Sequence, residues 1–590
     1  MDLARVETRT DDAITRFGVT GKGVLVAIMD RGIDWSNNDF CNSNGTTRIK
    51  YIFDLTDDTG ANAVGNTYGK GTIYTEAQIN AALSGGPGLA TRDAVGHGTA
   101  TAGIACGNGR NSVGQKYRGI APDASIIIVK ITSDGAPAHD DQPAEAAFYD
   151  PSRIPIAIDF VRDKARELHM PCVMTLNIGS QGGPTDGSSS LCNKIDTTVG
   201  PGIPGLIFMT PSGDDGGMTN HAGGQVSMGG TTSIQVMKGN SGFAYIDLWY
   251  STRDRFNVAI QSPTASYGPY TAPSFFDMQQ TPDFAYYHYG ASDNAYASTD
   301  NKREIFIELE GPVGVYTISL IGSQVRVGRF DATLNPSQVW NTADNLNQFL
   351  NFGVPGSIWD GATALYNICT GDYVIRTSYT DIDGFARTVA GESVSNIWQG
   401  SSTGPTFDGR LGIDVSAPGD SVFASYATNS YWHTFRFNLI QDGGGLYGRA
   451  SATSAADPIT TGIVALLLQL NPQLDAPTIK SILQQSAHAD SFTGPTPNTT
   501  WGYGKVDAYN ALILGAPAPQ ITGAGIFTNN AHVSFSTVTG MNYRVEYTDS
   551  LSPPSWMVLT NCLPGDTLKT ITNPAVTNLS QRFYRAVMFP

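Results

Sequence analysis

The stretch VLVAIMDRGID, residues 24–34, places a continuous apolar run directly before a polar turn. A run of this kind, without the alternation of a half-exposed strand, is typical of a parallel strand that is covered on both faces. Similar runs follow at 124–131, 172–179 and 205–212, and helical patterns such as the one near 154–168 separate them. The sequence therefore predicts an α/β domain whose parallel sheet is flanked by helices.

A different texture interrupts this α/β pattern. From 224 to 362, segments such as FAYIDLWYS and EIFIELEG alternate apolar and polar residues between Gly, Pro and Asn turns, which predicts an antiparallel β-sandwich. The α/β pattern returns at 363–515 and includes the long apolar helix at 458–470. The sandwich is therefore predicted to be an insertion into a split domain that covers 1–223 and 363–515. A Pro/Ala linker then precedes short strands, which predict a small C-terminal β-sandwich over 520–590.

The charge balance argues against one class of partner. The 590 residues contain 36 Lys and Arg against 52 Asp and Glu, a formal net charge of −16. The clustered basic face of a general nucleic-acid binder is therefore not expected. Glycine and proline are numerous, 66 and 32 residues, but dispersed, which excludes a collagen-like chain and favours a loop-rich globular protein.

Membrane insertion, localisation and cysteine chemistry follow from simpler patterns. No stretch approaches the roughly 20 apolar residues of a membrane helix, so no membrane insertion is expected. The N-terminal MDLARVETRT has no apolar signal-peptide core. Because low charge and many small polar residues are typical of secretion, we expect a secreted or extracytoplasmic protein whose leader is absent from this chain. Six cysteines occur without a C-x-x-C pair, so no zinc or redox motif is predicted, and their even number permits disulfides without requiring them.

Three distant segments each place a catalytic residue type at the edge of an element. Asp30 ends the first apolar strand, where a buried carboxylate can orient an imidazole. His97 stands between two glycines at the start of a helix of small residues, HGTATAGIAC. Ser454 precedes an apolar helix whose first N–H groups and dipole favour an oxyanion. Taken singly, each has an ordinary interpretation, as a turn aspartate, a structural histidine or a helix-capping serine.

Taken together, the three segments resemble the motifs of the subtilisin-like serine proteases, or subtilases. The family patterns D-[ST]-G, G-H-G-T-x-x-A-G and G-T-S-M-A-x-P correspond here to DRG at 30–32, GHGTATAG at 96–103 and ATSAADP at 452–458. The chain order Asp, His, Ser is also that of subtilisin. The resemblance covers about 20–223 and 363–515, and it implies a subtilisin-like fold.

The resemblance also implies a serine endopeptidase mechanism. Ser454 would attack a peptide carbonyl, His97 would take and return its proton, and Asp30 would hold the tautomer of the histidine. A protein or peptide substrate would lie extended between two backbone walls. These walls would be formed by Leu176, Asn177, Ile178 and Gly179 on one side and by Pro211, Ser212 and Gly213 on the other.

One departure from the family pattern concerns the oxyanion hole. Most subtilases place an asparagine where this chain has Asp214, within SGDDG at 212–216. An ionised carboxylate cannot donate a hydrogen bond to an oxyanion, whereas a protonated one can. Three hypotheses follow: Asp214 is protonated in an acid-shifted enzyme, it is ionised and another donor compensates, or the chain is a catalytically inactive scaffold that acts as a binding module.

Three smaller departures accompany it. Arg31 replaces the small Ser or Thr beside Asp30, and it adds a charge whose partner the sequence does not identify. Ala452 replaces the glycine that precedes the nucleophile turn. Asp457 lies in the first turn of the following helix, where a favourable interaction of its carboxylate with the helix N-terminus is the preferred interpretation.

The accessory regions carry less specific resemblances. By position and texture, the insertion resembles the jelly-roll domain of germination-type subtilases. The C-terminal module resembles small sandwich domains that end in R-F-Y-R and are appended to secreted bacterial hydrolases, so contact with carbohydrate or a cell surface is a hypothesis. Structural calcium is common in subtilases, but the carboxylates near Asp34, Asp39 and Asp54 lack the 1-3-5 spacing of a loop site. No metal site or other cofactor is assigned from the sequence.

Overall fold

The computed structural model of the chain describes residues 1–60, 66–290, 302–563, 567–574, 576 and 580–590. Its α-helices are α1 (Ala4–Glu7), α2 (Thr10–Phe17), α3 (Glu76–Leu83), α4 (His97–Cys106), α5 (Ile154–Leu168), α6 (Ser190–Val199), α7 (Thr453–Leu470), α8 (Ala476–Ser486) and α9 (Ala508–Gly515).

The strands fall into four consecutive groups. The first group is β1 (Leu25–Asp30), β2 (Ile49–Asp54), β3 (Thr72–Thr75), β4 (Ser125–Lys130), β5 (Cys172–Leu176) and β6 (Leu206–Pro211). The second is β7 (His221–Gln225), β8 (Thr231–Lys238), β9 (Ala244–Ser251), β10 (Arg255–Gln261), β11 (Ser266–Tyr270), β12 (Phe276–Gln280), β13 (Phe284–Tyr289), β14 (Lys302–Leu309), β15 (Gly314–Gln324), β16 (Arg329–Asn335) and β17 (Gln348–Phe349). The third is β18 (Ile368–Val374), β19 (Ser378–Thr380), β20 (Ala386–Thr388), β21 (Val415–Asp420), β22 (Val422–Ser425) and β23 (Tyr447–Ala450). The fourth is β24 (Ile521–Phe527), β25 (Asn530–Ser536), β26 (Asn542–Thr548), β27 (Met557–Cys562), β28 (Leu568–Asn573) and β29 (Phe583–Phe589).

The central sheet has the strand order β21-β18-β6-β5-β1-β4-β2-β3. Every neighbouring pair from β21 to β2 is parallel. The edge strand β3 pairs antiparallel to β2, a feature that the sequence analysis did not include. All six side chains of β1 are buried, as expected for a strand covered on both faces. The predicted α/β domain with a parallel sheet is confirmed.

The insertion leaves this sheet intact. Strands β6 and β18 are neighbours in the sheet, although the whole second group of strands lies between them in sequence. Because parallel strands end at the same edge, the carboxyl ends of β1, β5 and β6 bring Asp30, Leu176 and Pro211 to one side of the domain. This edge is where loops of the α/β domain and the insertion meet.

Helix α4 begins beside this edge because its N-terminus touches the turn that follows β1. A Cβ atom on Gly98 would lie 2.1 Å from the carbonyl oxygen of Gly32, so this close approach requires glycine. The buried carboxylate of Asp93 accepts a hydrogen bond from Thr99 N at 2.8 Å and fixes the first turn of the helix. Both contacts set His97, the first residue of α4, against the end of β1.

The insertion forms two antiparallel sheets, with the strand orders β11-β10-β15-β8-β17 and β12-β13-β14-β9-β16-β7. Alternate side chains of β9, among them Ile246 and Leu248, are buried in a core that both sheets share. The intervening side chains face the α/β domain, since Asp247 Oδ2 accepts a hydrogen bond from Gly183 N at 2.6 Å. Antiparallel sheets therefore accompany the parallel one, whereas the resemblance to a jelly roll stays a prediction.

The C-terminal residues add two small sheets, β24-β25-β28 and β27-β26-β29. Phe535 and Tyr543 of this module join the main hydrophobic core. Arg16 Nε donates a hydrogen bond to Gly540 O at 2.7 Å. The module is therefore docked against α2 of the α/β domain.

Helix α7 lies in the core of the α/β domain. In the part of the chain that the structure describes, it is the one helix long and apolar enough to cross a membrane, and 83% of it is buried inside the protein. Its apolar composition is thus explained by packing against the sheet.

The six cysteines are all buried free thiols. The structure therefore contains none of the disulfides that their even number permits.

Candidate active site

Asp30 and His97 form a hydrogen-bonded pair at the end of β1. His97 Nδ1 lies 2.7 Å from Asp30 Oδ1 and 2.9 Å from Oδ2. Asp30 is fully buried and also accepts hydrogen bonds from Arg31 N at 2.6 Å and from Thr101 Oγ1 at 2.9 Å. With Nδ1–H directed at the carboxylate, Nε2 is the nitrogen that can accept a proton.

The charges around this pair keep Asp30 ionised. Burial alone would raise the pKa of Asp30, but the charges of His97 and Arg31 outweigh burial and hold the pKa below its ordinary value. Arg31 Nη1 lies 3.6 Å from Asp30 Oδ1, and Arg31 Nε donates to Asp134 Oδ2 at 2.5 Å. Asp134 is thus the partner of Arg31 that the sequence could not identify.

Ser454 is the second residue of α7 and is half-buried. The backbone turn before it is strained. Ala452 has φ 75° and ψ 172°, a conformation that glycine adopts readily and that costs other residues on the order of 1–3 kcal/mol. Ala455 N closes the turn by donating to Ala452 O at 2.8 Å. This turn places Ser454 at the helix start, where backbone N–H groups have no partner within the helix.

A buried amide joins the Ser454 turn to the Asp30–His97 pair. Asn177 Nδ2 donates to Ser454 O at 2.9 Å and to Thr101 Oγ1 at 2.8 Å, and Thr101 in turn donates to Asp30. The three predicted catalytic residues therefore lie at one edge of the sheet. Within the described ranges the Ser454 hydroxyl makes no hydrogen bond to His97, and catalytic hydrogen bonds are often long before substrate binds. The role of Ser454 as nucleophile stays a prediction.

Asp214 lies beside the same turn. Its Oδ1 accepts hydrogen bonds from Thr453 Oγ1 at 2.6 Å and from Thr453 N at 3.2 Å. Burial raises the pKa of Asp214 above its ordinary value, although the Thr453 donors and the charges of His97 and Arg31 oppose the rise. Because two donors occupy Oδ1, a proton on this carboxyl is favoured on Oδ2.

Side chains that the sequence analysis missed hold the Asp214 turn from two sides. The next residue, Asp215, is buried, and its Oδ2 accepts a hydrogen bond from Trp359 Nε1 at 2.5 Å. Burial raises the pKa of Asp215 to about 7, with the Trp359 hydrogen bond opposing the rise and the Asp214 charge adding to it. From the insertion, Trp340 Nε1 donates to Asp214 O at 3.1 Å.

The first predicted substrate wall ends as an open strand edge. Leu176 and Asn177 are buried, Ile178 is half-buried and Gly179 is exposed. Asn177 N donates to Met29 O at 3.2 Å, whereas the backbone groups of Ile178 and Gly179 make no hydrogen bond with any described residue. An extended peptide can therefore pair with these last two residues. The side chain of Asn177 donates its hydrogen bonds to Ser454 O and Thr101 Oγ1 inside the protein. Asn177 therefore belongs to this wall through its main chain only.

The second predicted wall uses its main-chain groups inside the protein. Pro211, Ser212 and Gly213 are all buried. Ser212 N donates to Thr370 O at 2.9 Å, and Ser212 O accepts from Trp359 N at 3.1 Å. Both main-chain groups of Ser212 are therefore engaged inside the protein, and the pairing of this wall with a substrate stays a prediction.

The indole of Trp359 occupies the space between the two walls. A Cβ atom on Gly179 would lie 2.4 Å from Trp359 Cε3, and one on Gly213 would lie 2.7 Å from Trp359 Cδ1. Both glycines are thus in contact with the ring. Trp359 stands in no sequence motif and lies near the end of the segment predicted as the insertion, so the sequence carries no signal for this contact.

A cavity of about 700 Å³ lies along the first wall. Ile178 and Gly179 of that wall border it, together with Asp134 on a loop of the α/β domain. Tyr245 and Phe306 of the insertion also line it. The insertion therefore contributes directly to the surroundings of the candidate active site.

The described residues include side chains of the types that bind metals. No group of three or more His, Cys, Asp or Glu side chains in those ranges is arranged to hold a metal ion. The carboxylates considered in the sequence analysis accept hydrogen bonds instead: Asp34 Oδ1 from Ser36 Oγ at 2.6 Å and Asp39 Oδ2 from Ser425 Oγ at 2.6 Å. Structural calcium therefore stays a prediction whose ligands are not assigned.

Asp457 faces the central sheet from the first turns of α7. It is fully buried, and Thr175 Oγ1 of β5 donates a hydrogen bond to its carboxyl. Burial raises the pKa of Asp457 to about 7. The carboxyl is therefore directed at the sheet, and its interaction with the helix N-terminus stays a prediction.

Comparison with known sequences places the chain among related proteins. A sequence profile described as the subtilase family matches residues 21–504. The serine protease AprX of Bacillus subtilis is 36% identical over 112 residues, which are 19% of this chain and 24% of AprX. The minor extracellular protease Vpr of the same organism is 22% identical over 552 residues, 90% of this chain and 57% of Vpr. The chain spans less than two thirds of the length of either relative.

Comparison with solved structures concerns the fold. The Clostridium perfringens CspB protease superposes with a TM-score of 0.65 at 23% sequence identity, covering 87% of this chain and 97% of the other. This similarity supports the same overall architecture for the two chains.

Proposed function

Because the chain belongs to the subtilase family, we propose that it is a serine endopeptidase that hydrolyses peptide bonds in proteins. The observation that carries the proposal is the 2.7 Å contact between His97 Nδ1 and Asp30 Oδ1, beside the helix start that holds Ser454. An oriented imidazole next to a serine at a helix N-terminus is the arrangement that acyl transfer requires.

In the proposed reaction, His97 Nε2 takes the hydroxyl proton of Ser454 while the serine oxygen attacks the carbonyl carbon of the substrate. The C–N bond then breaks, and His97 returns the proton to the leaving amine. Water, activated by the same imidazole, hydrolyses the acyl ester and restores Ser454. Asp30, buried and ionised, stabilises the imidazolium that forms in each step.

The proposed oxyanion hole combines the backbone N–H of Ser454 with the protonated carboxyl of Asp214. Two observations support this assignment: burial raises the pKa of that carboxyl, and the Thr453 donors on Oδ1 leave Oδ2 as the oxygen that can carry the proton. The active form then needs a neutral His97 and a protonated Asp214. Because rising pH favours the first and removes the second, we expect a bell-shaped pH profile that is shifted toward acid.

The proposed substrate is an extended protein segment that pairs with the backbone of Ile178 and Gly179. An extracellular location is proposed as well, because the relative Vpr is described as an extracellular protease.

A fluorophosphonate probe, which reacts covalently with activated serines, tests the proposal. We expect it to label the full chain, and we expect labelling and casein hydrolysis to disappear together in Ser454→Ala. Ser451→Ala, a matched change three residues earlier, should keep both activities. Absence of labelling and of hydrolysis at every pH from about 4 to 8, the span in which carboxylates and histidine titrate, would support the inactive scaffold instead.

A further inference from the structure

One face of the inserted sandwich borders the cavity beside the first wall. Strands β9 and β14 are antiparallel neighbours that set Asp247 opposite Phe306. Because side chains alternate along a strand and the intervening residues fill the sandwich core, Tyr245, Asp247, Glu304 and Phe306 all point away from that core. All four line the cavity. One face of these two strands thus fills the sandwich core. The opposite face carries polar and aromatic side chains and is directed at the candidate active site.

This face presents an aromatic pair, Tyr245 and Phe306. Their rings stack with centroids 5.7 Å apart and planes 25° apart. Both side chains are only partly buried. The aromatic pair therefore offers an apolar surface to a ligand that enters the cavity.

Next to it lies a carboxyl cluster, Asp247, Glu304 and Asp360, with exposed fractions of 6%, 3% and 8%. Asp247 Oδ2 accepts a hydrogen bond from Gly183 N at 2.6 Å, and Asp360 Oδ1 accepts one from Thr185 N at 3.0 Å. Within the described ranges, neither Asp247 nor Asp360 forms an ion pair. The cluster thus places buried negative charge at the cavity without a cation for these two aspartates.

The nearby cations are paired elsewhere. Lys302 forms an ion pair with Asp186, and Arg31 forms one with Asp134 at 2.5 Å. Neither cation forms an ion pair with Asp247 or Asp360 in the described part of the chain, although the charge of Lys302 acts on Asp360 and opposes the rise that burial causes in the pKa of that carboxyl.

The protonation of the cluster leaves it anionic at neutral pH. Burial and the neighbouring Asp247 raise the pKa of Glu304 to about 10, and burial also raises the pKa of Asp247, so this pair holds at least one proton at neutral pH. Burial raises the pKa of Asp360 to about 6, so that carboxyl is ionised above this pH.

A buried acceptor at the same cavity has no donor. Gln181, two residues after the first wall, is 5% exposed and lines the cavity. Its Oε1 accepts no hydrogen bond from any described residue, whereas its main-chain oxygen accepts one from Asn335 Nδ2. Since buried acceptors are normally satisfied, this one points to a ligand that brings N–H groups.

We propose that this cavity binds the side chain of a lysine or arginine in the substrate, with the methylene stem against the aromatic pair and the cationic end at the carboxyl cluster and Gln181. The inference rests on the proposed peptidase function, because a substrate strand along the first wall is what brings the side chain to the cavity.

The chemistry of the cavity selects against other side chains of similar length. A lysine or arginine carries several N–H donors for the carboxylates and the Gln181 oxygen, and its cation also interacts favourably with aromatic faces. Norleucine has a comparable stem but leaves the acceptors unsatisfied. A glutamate side chain would meet the cluster with a charge of the same sign.

Binding to the full chain with Ser454→Ala tests the inference without catalysis. Fluorescently labelled, alanine-rich peptides that carry one lysine, one arginine or one norleucine are compared by fluorescence anisotropy. We expect the lysine and arginine peptides to bind about tenfold more tightly than the norleucine peptide, as charge-assisted hydrogen bonds allow. Adding Asp247→Asn and Glu304→Gln should lower this ratio severalfold, because two of the three carboxyl groups of the cluster are then removed.

Matched variants separate this binding from loss of structure. Asp277→Asn on β12, a carboxylate of the same sheet outside the cavity, should leave the ratio unchanged. Should the double variant not fold, Gln181→Met, similar in size and lacking the acceptor, should lower the ratio severalfold.

Two results would overturn the inference: equal binding of lysine and norleucine peptides, or a preference that survives both the double variant and Gln181→Met. Hydrolysis of the same peptides by the unsubstituted chain is measured separately. Its absence would contradict the proposed function, while the binding ratio still decides the role of the cavity.

Discussion

Asp214 differs from the asparagine of most subtilases because its carboxyl group can ionise. Some of its surroundings raise the pKa of this carboxyl and others lower it. Burial favours the protonated form, whereas the two Thr453 donors favour the carboxylate. The net effect raises the pKa of Asp214. The pH range in which this side chain can donate to an oxyanion is therefore wider than for an exposed aspartate.

Replacing Asp214 by asparagine should change the alkaline side of the pH profile. The amide donates at every pH, whereas Asp214 stops donating as pH rises through its pKa. We expect kcat/KM of Asp214→Asn at pH 8 to exceed that of the original chain by tenfold or more, within the roughly 10²–10³-fold value of one oxyanion donor. The measurement is a kcat/KM profile from about pH 4 to 9 for both chains, with Ser454→Ala as the blank. Superimposable profiles would rule out a protonated Asp214 in the reaction.

At the residue scale, local motifs predict some positions well and others not at all. Asp30 and His97 stand in short patterns whose glycines are needed for the approach of α4 to β1, so the sequence alone brings them together. Trp359 and Asp247 stand in no motif. Their contacts with the active-site edge depend on how the insertion folds back on the α/β domain, which no local pattern encodes. Ala452 is recognisable in the sequence as a missing glycine, but its strained φ and ψ are seen only in the structure.

At the scale of elements, α7 carries a buried titratable group against the sheet. Asp457 keeps its proton up to about pH 7 in the folded protein, whereas its ordinary value is 3.8. Between these values the folded state binds more protons than the unfolded chain. The contribution of Asp457 to stability should therefore be greatest at acidic pH and should fall as pH rises toward 7.

The variant Asp457→Asn isolates this contribution. The amide keeps the size of the side chain and can still accept the Thr175 hydrogen bond, but it does not titrate. At pH 8 we expect the free energy of unfolding of this variant to exceed that of the original chain by about 1–3 kcal/mol, with a higher unfolding temperature. Between pH 5 and 8 the stability of the variant should fall less than that of the original chain. Calorimetry at both pH values measures this difference.

An exposed carboxylate provides the control for that experiment. Asp12→Asn on α2 changes a side chain that is 68% exposed and should leave the pH dependence as it was. Equal slopes for the original chain and Asp457→Asn would show that another group dominates the acid stability.

The elements themselves were largely predictable from pattern. Continuous apolar runs predicted the buried strands β1, β4, β5 and β6, and alternation predicted the antiparallel strands of the insertion. The direction of Asp457 was not predictable, because a position early in a helix faces either solvent or the sheet according to how the whole helix packs. The antiparallel edge strand β3 was missed because its four residues carry no distinctive pattern.

At the scale of the whole molecule, the insertion and the C-terminal module both pack against the α/β domain, and Gly540 lies at the contact between the module and α2. Gly540 has φ +87°, and a Cβ atom there would lie 2.8 Å from both Arg16 O and Phe17 Cδ1. Any side chain at this position therefore pushes the module away from α2.

The variant Gly540→Val should release the module from the α/β domain. We expect calorimetry to show a separate transition at lower temperature for the module, while the rate of peptide hydrolysis per folded molecule stays the same. Gly523→Val in β24, where the nearest atom would be 4.0 Å away, should retain a single transition. A single unchanged transition in Gly540→Val would mean that the contact with α2 does not hold the module.

Strands β6 and β18 are neighbours in the sheet but are separated in sequence by the whole insertion. The central sheet is therefore completed late in synthesis. The ribosome delivers β1, β4, β5 and β6 first, then the entire insertion, and only afterwards β18, β21 and α7. A nascent chain therefore holds Asp30 and His97 long before Ser454 has been translated, and the insertion can fold while the sheet still lacks two strands. Under the proposed mechanism, the growing polypeptide cannot cleave itself or its neighbours during that interval, because the proposed nucleophile Ser454 is the last of the three residues to emerge.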